Sequence, residues 1–322
     1  MDGRLLPDKE EIDLMDRIHI ESKFLGGMVG SAVGDAIGEV AFLYPDKDRL
    51  GAKVDQLSEL RYTDDTAMAI GLAESIIRRG DIDQEHLGKT FSENFEREPW
   101  RGYASGPPTI FSLVKQRGIT YSEAAKSLFG GEGSLGNGAA MGIVPIGLFF
   151  HNAPELYERA CAASEVTHAH PVGMDGAAVQ AFAVAQAVKL EPGKDFPLEK
   201  TIRGLVEFAR TSPISEKMRL VQEFLFQGVP PSKAADRIGR TVAVHESMPF
   251  AIYAFLRHNV SFEECLLCAV LNGGDRDTLG AMAGAISGAY LGVEAIPKSW
   301  RHKLENRAYI EHLATTLGKM LH

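Results

Sequence analysis

The sequence predicts an all-α fold, and three observations carry that expectation. Apolar residues recur at helical spacing through most of the chain. Alternating β-branched runs bounded by turns are nearly absent, and two stretches place glycine at every fourth position. The 322 residues include 34 Lys+Arg against 43 Asp+Glu, a formal net charge of −9, with 45% hydrophobic residues. This is ordinary globular composition with material for a sizeable core, which excludes disordered, collagen-like and coiled-coil classes. The acidic balance also argues against a surface that coats nucleic acid. The 33 glycines exceed the usual share of roughly 7% and so need an explanation.

Taking the elements in order, residues 1–22 are expected to form an N-terminal extension or first helix. They open MDGRLLPDKEEIDLMD, acidic and without the apolar segment of a signal peptide. Residues 23–322 read as one integrated domain, because no low-complexity linker divides them. FLGGMVGSAVGDAIG is the first glycine helix, with Gly26, Gly30, Gly34 and Gly38 on one stripe, and it is expected to end near Glu39. DDTAMAIGLAESIIRRG follows as an amphipathic helix. The loop Arg101-Gly-Tyr-Ala-Ser-Gly106 precedes a Pro-started helix, and the helical YSEAAKSLF leads into the glycine-rich Gly130–Gly138. GAAMGIVPIGLFF, PELYERACAASEV, GAAVQAFAVAQAVKL and SEKMRLVQEFLFQ continue the helical pattern, and LEKTIRGLVEFA lines Leu198, Ile202, Leu205, Val206 and Ala209 along one face. Ser122, Ser215 and Ser261 are candidate helix starts; Gly80, Gly118 and Gly228 are candidate ends. The second glycine helix carries Gly280, Gly284, Gly288 and Gly292. Each stripe lets another backbone approach closely, so the two helices are expected to pack together at the centre.

Cys265 and Cys268 form a C-x-x-C within the apolar EECLLCAVL, which reads as core rather than as a zinc or redox site. The longest uncharged stretch, 278–293, falls short of a membrane span of roughly 20 residues. A cytoplasmic protein with no membrane and no direct nucleic-acid partner is the expectation.

Two acidic motifs stand at helix starts: Thr63-Asp64-Asp65-Thr66 and Asp275-Arg276-Asp277-Thr278. Capping alone accounts for one such residue per helix. Four carboxylates that converge without cations repel one another, and a hard divalent metal such as Mg²⁺ or Mn²⁺ relieves that repulsion. The glycine-rich segment contains G-x-G-x-x-G, but a helix rather than a strand precedes it, so a dinucleotide fold is rejected. A loop whose N–H groups cradle phosphate and an ordinary connection both remain open. His168 and His170 in VTHAHPVG lack a partner at zinc-ligand spacing, and a polar role facing ligand or solvent fits better. Asp35 sits within the first glycine stripe and is expected to be hydrogen-bonded.

Together these segments resemble the ADP-ribosylglycohydrolase family, in order, from about Phe24 to Trp300. The match covers FLGGMVGSAVGDAIG, YTDDTAMA, RGYASG, GEGSLGNGAAM, VTHAHPVG and GGDRDTLGAMAGAISGAYLG, with details nearest the subgroup that includes serine-ADP-ribose hydrolases. The resemblance implies an all-α fold holding two Mg²⁺ or Mn²⁺ ions, with Thr63, Asp64, Asp65, Asp275, Asp277 and Thr278 as ligands. It implies that Ser134, Leu135 and Gly136 hold the diphosphate and distal ribose, that His168 faces the ADP-ribose, and that Gly102 and Gly106 border the cleft. Asp64, Asp65 and Asp277 would then serve the catalytic centre. Three positions depart from the family pattern: Phe42 where a glutamate is usual, Gly142 where an arginine is, and Arg276 where a small residue is. Glu39 is the acid nearest the vacant glutamate position and the candidate to replace it.

The expected activity is metal-dependent hydrolysis of the bond at C1″ of ADP-ribose, carried by a protein side chain or a small acceptor, in a monomer. A non-catalytic ADP-ribose binder or structural protein on the same scaffold is the alternative. A metal phosphohydrolase acting on another nucleotide follows from the acids alone.

Overall fold

A computed structural model describes residues 9–193 and 195–321; part of the proposed 1–22 extension, residues 1–8, lies outside the described residues. The described residues form eighteen α-helices and two short 3₁₀ turns, with only isolated bridges, Leu60 to Leu304 and Gly136 to Ala243, in place of strands. Among them no helix is long and apolar enough to cross a membrane.

The glycine stripes set the centre. Helix Lys9–Leu43 and helix Arg276–Leu291 run antiparallel, with Gly26 against Gly288, Gly30 against Gly284 and Gly34 against Gly280. A Cβ on Gly34 would stand 2.0 Å from the Gly280 carbonyl oxygen, and one on Gly280 would stand 2.2 Å from that of Gly34. Only glycine fits such a backbone contact. Each glycine costs up to about 1 kcal/mol of helix propensity, which the close packing of two backbones offsets. The stripe ends at Gly38, whose Cβ would lie 2.5 Å from Asp277 Cα. The same packing that builds the core therefore seats the second acidic motif against the first helix.

Two buried aspartates then orient neighbouring helices. Thr63, the N-cap residue of helix Asp64–Arg79, makes no side-chain cap bond of its own. Asp35 does the capping instead, accepting from Thr63 N at 3.0 Å, Thr63 Oγ1 at 2.8 Å, Thr66 N at 3.0 Å and Thr66 Oγ1 at 2.5 Å. Asp175, in helix Pro171–Lys189, repeats the device, accepting from Thr211 N at 2.7 Å and Thr211 Oγ1 at 2.5 Å before helix Ser212–Gln227. At the other end of helix Pro171–Lys189, the buried Lys23 donates to the Ala187 and Leu190 carbonyls.

The expected punctuation holds in part. Gly80, Gly118 and Gly228 each end a helix in the left-handed conformation, and Ser261 caps helix Phe262–Leu271 by accepting from Glu264 N. Ser122 and Ser215 instead lie inside helices that Thr120 and Thr211 begin. GAAMGIVPIGLFF divides into Gly138–Met141, ended by Gly142, and Val144–Phe149, opened by Pro145. Cys265 and Cys268 are buried, and burial pushes the Cys268 thiol up to about 12, so the C-x-x-C is core.

One expectation about the first helix is corrected. It does not end near Glu39 but runs to Leu43, so no loop is available to swing that carboxylate. Gly38 marks a close backbone contact rather than a stop.

Candidate active site

A cavity of about 590 Å³ opens where the two acidic motifs, the glycine-rich loop, the 102–107 loop and His168 meet. Its volume lies in the range of small-ligand sites. Asp64, Asp65, Asp275, Asp277 and Thr278 line one part; Gly133, Ser134, Leu135 and Gly136 line another; Gly102 and Gly106 border it. Segments more than 200 residues apart in the chain thus share one cleft. Thr63 stands just behind, half-buried, with its hydroxyl given to Asp35 and, at 3.2 Å, to Asp65 Oδ2.

Because Asp35 caps helix Asp64–Arg79 from outside, Asp64 and Asp65 are free of that duty. Asp65 is 1% exposed, and its Oδ1 has no hydrogen-bond partner. Among the described residues no Lys, Arg or His lies in ion-pair range of Asp35, Asp64, Asp65, Asp275 or Asp277. Burial, reinforced by the neighbouring carboxylates, pushes Asp64 up to about 7 and Asp277 to about 8, and moves Asp65 well upward. Asp35 rises to about 6 by burial alone, against the pull of its Thr66 and Thr63 bonds. This is stored electrostatic tension, which either protons or a cation can relieve.

The donors are all oxygen, the set a hard divalent ion prefers. Among the described residues, however, no three acidic, histidine or cysteine side chains form a closed ligand cluster. The unpartnered Asp65 Oδ1 and the uncompensated charge nonetheless fit such an ion.

Arg276 leaves the carboxylates alone. Its guanidinium turns back to the Val270 carbonyl and lies near Arg240, away from the two aspartates that flank it in sequence. At Gly142, where an arginine is usual in the family, a Cβ would lie 3.1 Å from Met68 Cβ, so a side chain there needs its neighbours to give by a few tenths of an ångström. Phe42 is 45% exposed. Glu39 is also exposed, one helical turn beyond Asp35, and its charge reaches Asp277.

The glycine-rich loop is tied down by its own N–H groups more than its pattern suggests. Gly131 and Gly133 N donate to the Leu128 carbonyl, Gly136 N to Ser134 Oγ, and Asn137 N to the Val242 carbonyl. Ser134 N and Leu135 N find no acceptor among the described residues, on a segment that lines the cavity. His168 is buried, held by Thr167 Oγ1 at 2.9 Å, and burial lowers its imidazole to about 4. It is neutral, and Gly136 and Gly138 lean on its Nε2 edge. His170 instead caps helix Pro171–Lys189 by accepting from Val172 N.

Three contributors escaped the sequence reading. Asn137, buried, donates to Asp275 Oδ2 at 2.7 Å and to Ser247 Oγ at 3.1 Å, joining the glycine loop to the second acidic motif. Its place in G-N-G was the signal available. Arg101, also buried, clamps Glu98 and Glu305 and lies 4.0 Å above the Tyr62 ring, fixing the loop that puts Gly102 next to Asp64. Phe129, 66% exposed and at φ 52, stands at the cavity mouth.

The model of a family described as ADP-ribosylglycohydrolase matches residues 16–321. The chain is 31% identical over 336 residues to ADP-ribosylhydrolase ARH3 of Xenopus tropicalis, covering 94% of this chain and 95% of that protein. It is 33% identical over 313 residues to an uncharacterized protein of Archaeoglobus fulgidus, covering 94% and 97% respectively. Among solved structures, an ADP-ribosylglycohydrolase-related protein complex is similar with a TM-score of 0.73 at 25% identity, over 94% of this chain and 99% of that one.

Proposed function

The chain belongs to the ADP-ribosylglycohydrolase family, and from that premise we propose that it hydrolyses the bond between C1″ of ADP-ribose and an acceptor on a protein side chain or small molecule. The observation that carries this reading is one cavity with cation-free carboxylates on one wall and a glycine loop with unengaged N–H groups on another. The first wall suits the reacting ribose, the second the diphosphate.

Thr63, Asp64, Asp65, Asp275, Asp277 and Thr278 would hold two Mg²⁺ or Mn²⁺ ions. Such ions, when bound, orient ribose hydroxyls and lower the pKa of a water. The chain's own residues do the rest. Ser134 and Leu135 N–H bind phosphate oxygens, and the neutral His168 offers Nε2 without adding charge. Phe129 gives the adenine an aromatic face, and Gly102 and Gly106 leave room for the ribose. Anchoring the nucleotide far from the reacting bond positions C1″ among the carboxylates. Their negative field favours the oxocarbenium-like transition state. Asn137 is a positioning residue: it holds Asp275 in register with the loop.

We propose Glu39 as the acid for the attacking water or the leaving group, acting from its fixed place on the first helix, just outside the cavity lining, rather than by a loop movement. It sits about one helical turn before the position where the family glutamate is replaced by Phe42, and its charge is sensed at Asp277. The exposed Phe42 is the feature that favours the second reading, a binder without turnover.

The test is to incubate the purified protein and Mg²⁺ or Mn²⁺ with serine-linked, arginine-linked and O-acetyl ADP-ribose, and to measure released ADP-ribose. Release from at least one substrate, abolished by chelator, is expected. No release from any of them, with ADP-ribose still bound, would establish the binder.

A further inference from the structure

A second cavity, about 400 Å³, lies against another face of helix Asp64–Arg79 from the one that bears the acidic motif. Its floor is apolar, made by Ala67 and Ile70, and its walls include Tyr62, Glu74, Trp100 and Tyr309. Trp100 is 71% exposed, a large aromatic surface left in water beside a pocket. Glu74 sits half-buried at the far end of the floor. Tyr309 Oη donates to it at 2.6 Å and Asn94 Nδ2 at 2.9 Å, yet no cation lies within ion-pair range among the described residues.

The other charges leave this excess in place. Glu98 and Glu305 both pair with Arg101, two acids on one base. Arg97, which also lines the cavity, bonds to Asn94 Oδ1 and the Glu93 carbonyl rather than to a carboxylate, so Glu74, Glu98 and Glu305 stand against Arg97 and Arg101 and one negative charge is left over. The pocket thus combines aromatic rings, an apolar floor and unneutralised negative charge. That combination fits a cation on an aliphatic stem, which packs its methylenes on the floor and its charge near rings and carboxylate.

The two cavities lie on two faces of helix Asp64–Arg79 with no lining residue in common, and the segment from Trp100 to Gly102 runs from one to the other. Tyr62 directly precedes Thr63 and Asp64, and Gly102 borders Asp64 at 3.7 Å, measured from the position a Cβ would take. Trp100 is two residues before Gly102, at most about 7–8 Å along the chain. A polypeptide whose modified side chain reaches the carboxylate cavity has its neighbours within about 10 Å of the modified position, roughly three extended residues. We propose that this second cavity receives a lysine or arginine side chain of the ADP-ribosylated polypeptide, within about three residues of the modified position. It is an acceptor-side subsite, with Trp100 and Glu74 as its specificity-determining residues. The proposal rests on the hydrolase reading above.

The experiment uses peptides ADP-ribosylated at one central residue, with lysine, norleucine or glutamate at the flanking positions, and O-acetyl ADP-ribose as a substrate without a peptide. Wild type is expected to favour the lysine peptide through KM. Trp100→Ala should raise that KM roughly three- to tenfold and erase the preference, Trp100→Phe should restore most of it, and O-acetyl ADP-ribose should be hydrolysed as by wild type. Equal slowing of every substrate by Trp100→Ala, or no discrimination between lysine and norleucine by wild type, would overturn the subsite.

A binding measurement separates this from the hydrolase reading. The chain has two tryptophans, so a Trp300→Phe background leaves Trp100 as the fluorophore. An unmodified lysine peptide should quench it and its norleucine counterpart should not, whether or not the protein releases ADP-ribose. Loss of turnover on every substrate with this quench intact refutes the hydrolase and keeps the pocket; no difference between the two peptides refutes the pocket.

Discussion

Replacing Asp277 by Asn should stabilise the metal-free protein while disabling it. Burial and the neighbouring Asp275 and Asp35 carboxylates raise Asp277 from 3.8 to about 8. Its charged form therefore costs the fold about 1.4 kcal/mol for each pH unit between those values, a ceiling of roughly 6 kcal/mol at pH 8. Solvent screening and local relaxation reduce this to about 1–3 kcal/mol. The Asn side chain keeps an oxygen where Asp277 Oδ1 accepts from Thr278 N at 2.9 Å, so no donor is orphaned. In chelator at pH 8, Asp277→Asn should raise Tm by roughly 2–5 °C. Mg²⁺ or Mn²⁺, which at a hundredfold excess over Kd should add about 2.7 kcal/mol to the wild type, should add much less to the variant, and most activity should be lost. The pH dependence has a definite sign. Carboxyls raised by folding stabilise fully below 3.8, and that stability is lost as pH climbs through about 6, 7 and 8 for Asp35, Asp64 and Asp277. Chelated wild type should lose Tm from pH 5.5 to 8.5, the variant less steeply. Scanning calorimetry with and without metal reads all of this. A variant less stable than wild type in chelator at pH 8, or one that keeps the full metal-induced rise, would refute the reasoning.

Other expectations follow from single contacts. Gly34→Ala places a Cβ 2.0 Å from the Gly280 carbonyl; overpacking should outweigh the roughly 1 kcal/mol gained in helix propensity and cost a net 2 kcal/mol or so, read as a lower urea midpoint. An unchanged midpoint would show that the two helices separate freely. Ser134→Pro removes the unengaged N–H of a residue that lines the cavity and the hydroxyl that holds Gly136, so ADP-ribose affinity measured by calorimetry should fall about tenfold with metal affinity unchanged; wild-type affinity would return the loop to a plain connection. Glu39→Gln should leave ADP-ribose affinity intact and slow turnover by roughly 10²–10⁴-fold, and an unchanged turnover number would remove Glu39 from the chemistry.

The helical class and the glycine stripes that mark the central contact were legible because each is written as a short local pattern, whereas the meeting of the two acidic motifs came from the resemblance and not from their spacing. What the sequence hid is mostly non-local. Asp35 caps a helix that begins 28 residues later, and nothing in SAVGDAIG announces its partners. Asn137 binds Asp275 across 138 positions. Gly38 misled for another reason: a glycine that ends a helix and a glycine that admits a second backbone look alike until the Asp277 backbone is seen against it. Arg276, which interrupts the acidic motif on paper, is harmless in space because the Val270 carbonyl draws it away.

The measurement that bears most directly on the central claim is the anomalous diffraction of crystals grown with Mn²⁺ and ADP-ribose. Two manganese peaks are predicted, both within ligand distance of carboxylates from the two acidic motifs and shared through Asp277, with the diphosphate against Ser134 and Leu135. Manganese bound elsewhere, or none in the cavity of a protein that turns over fully in chelator, would contradict the account.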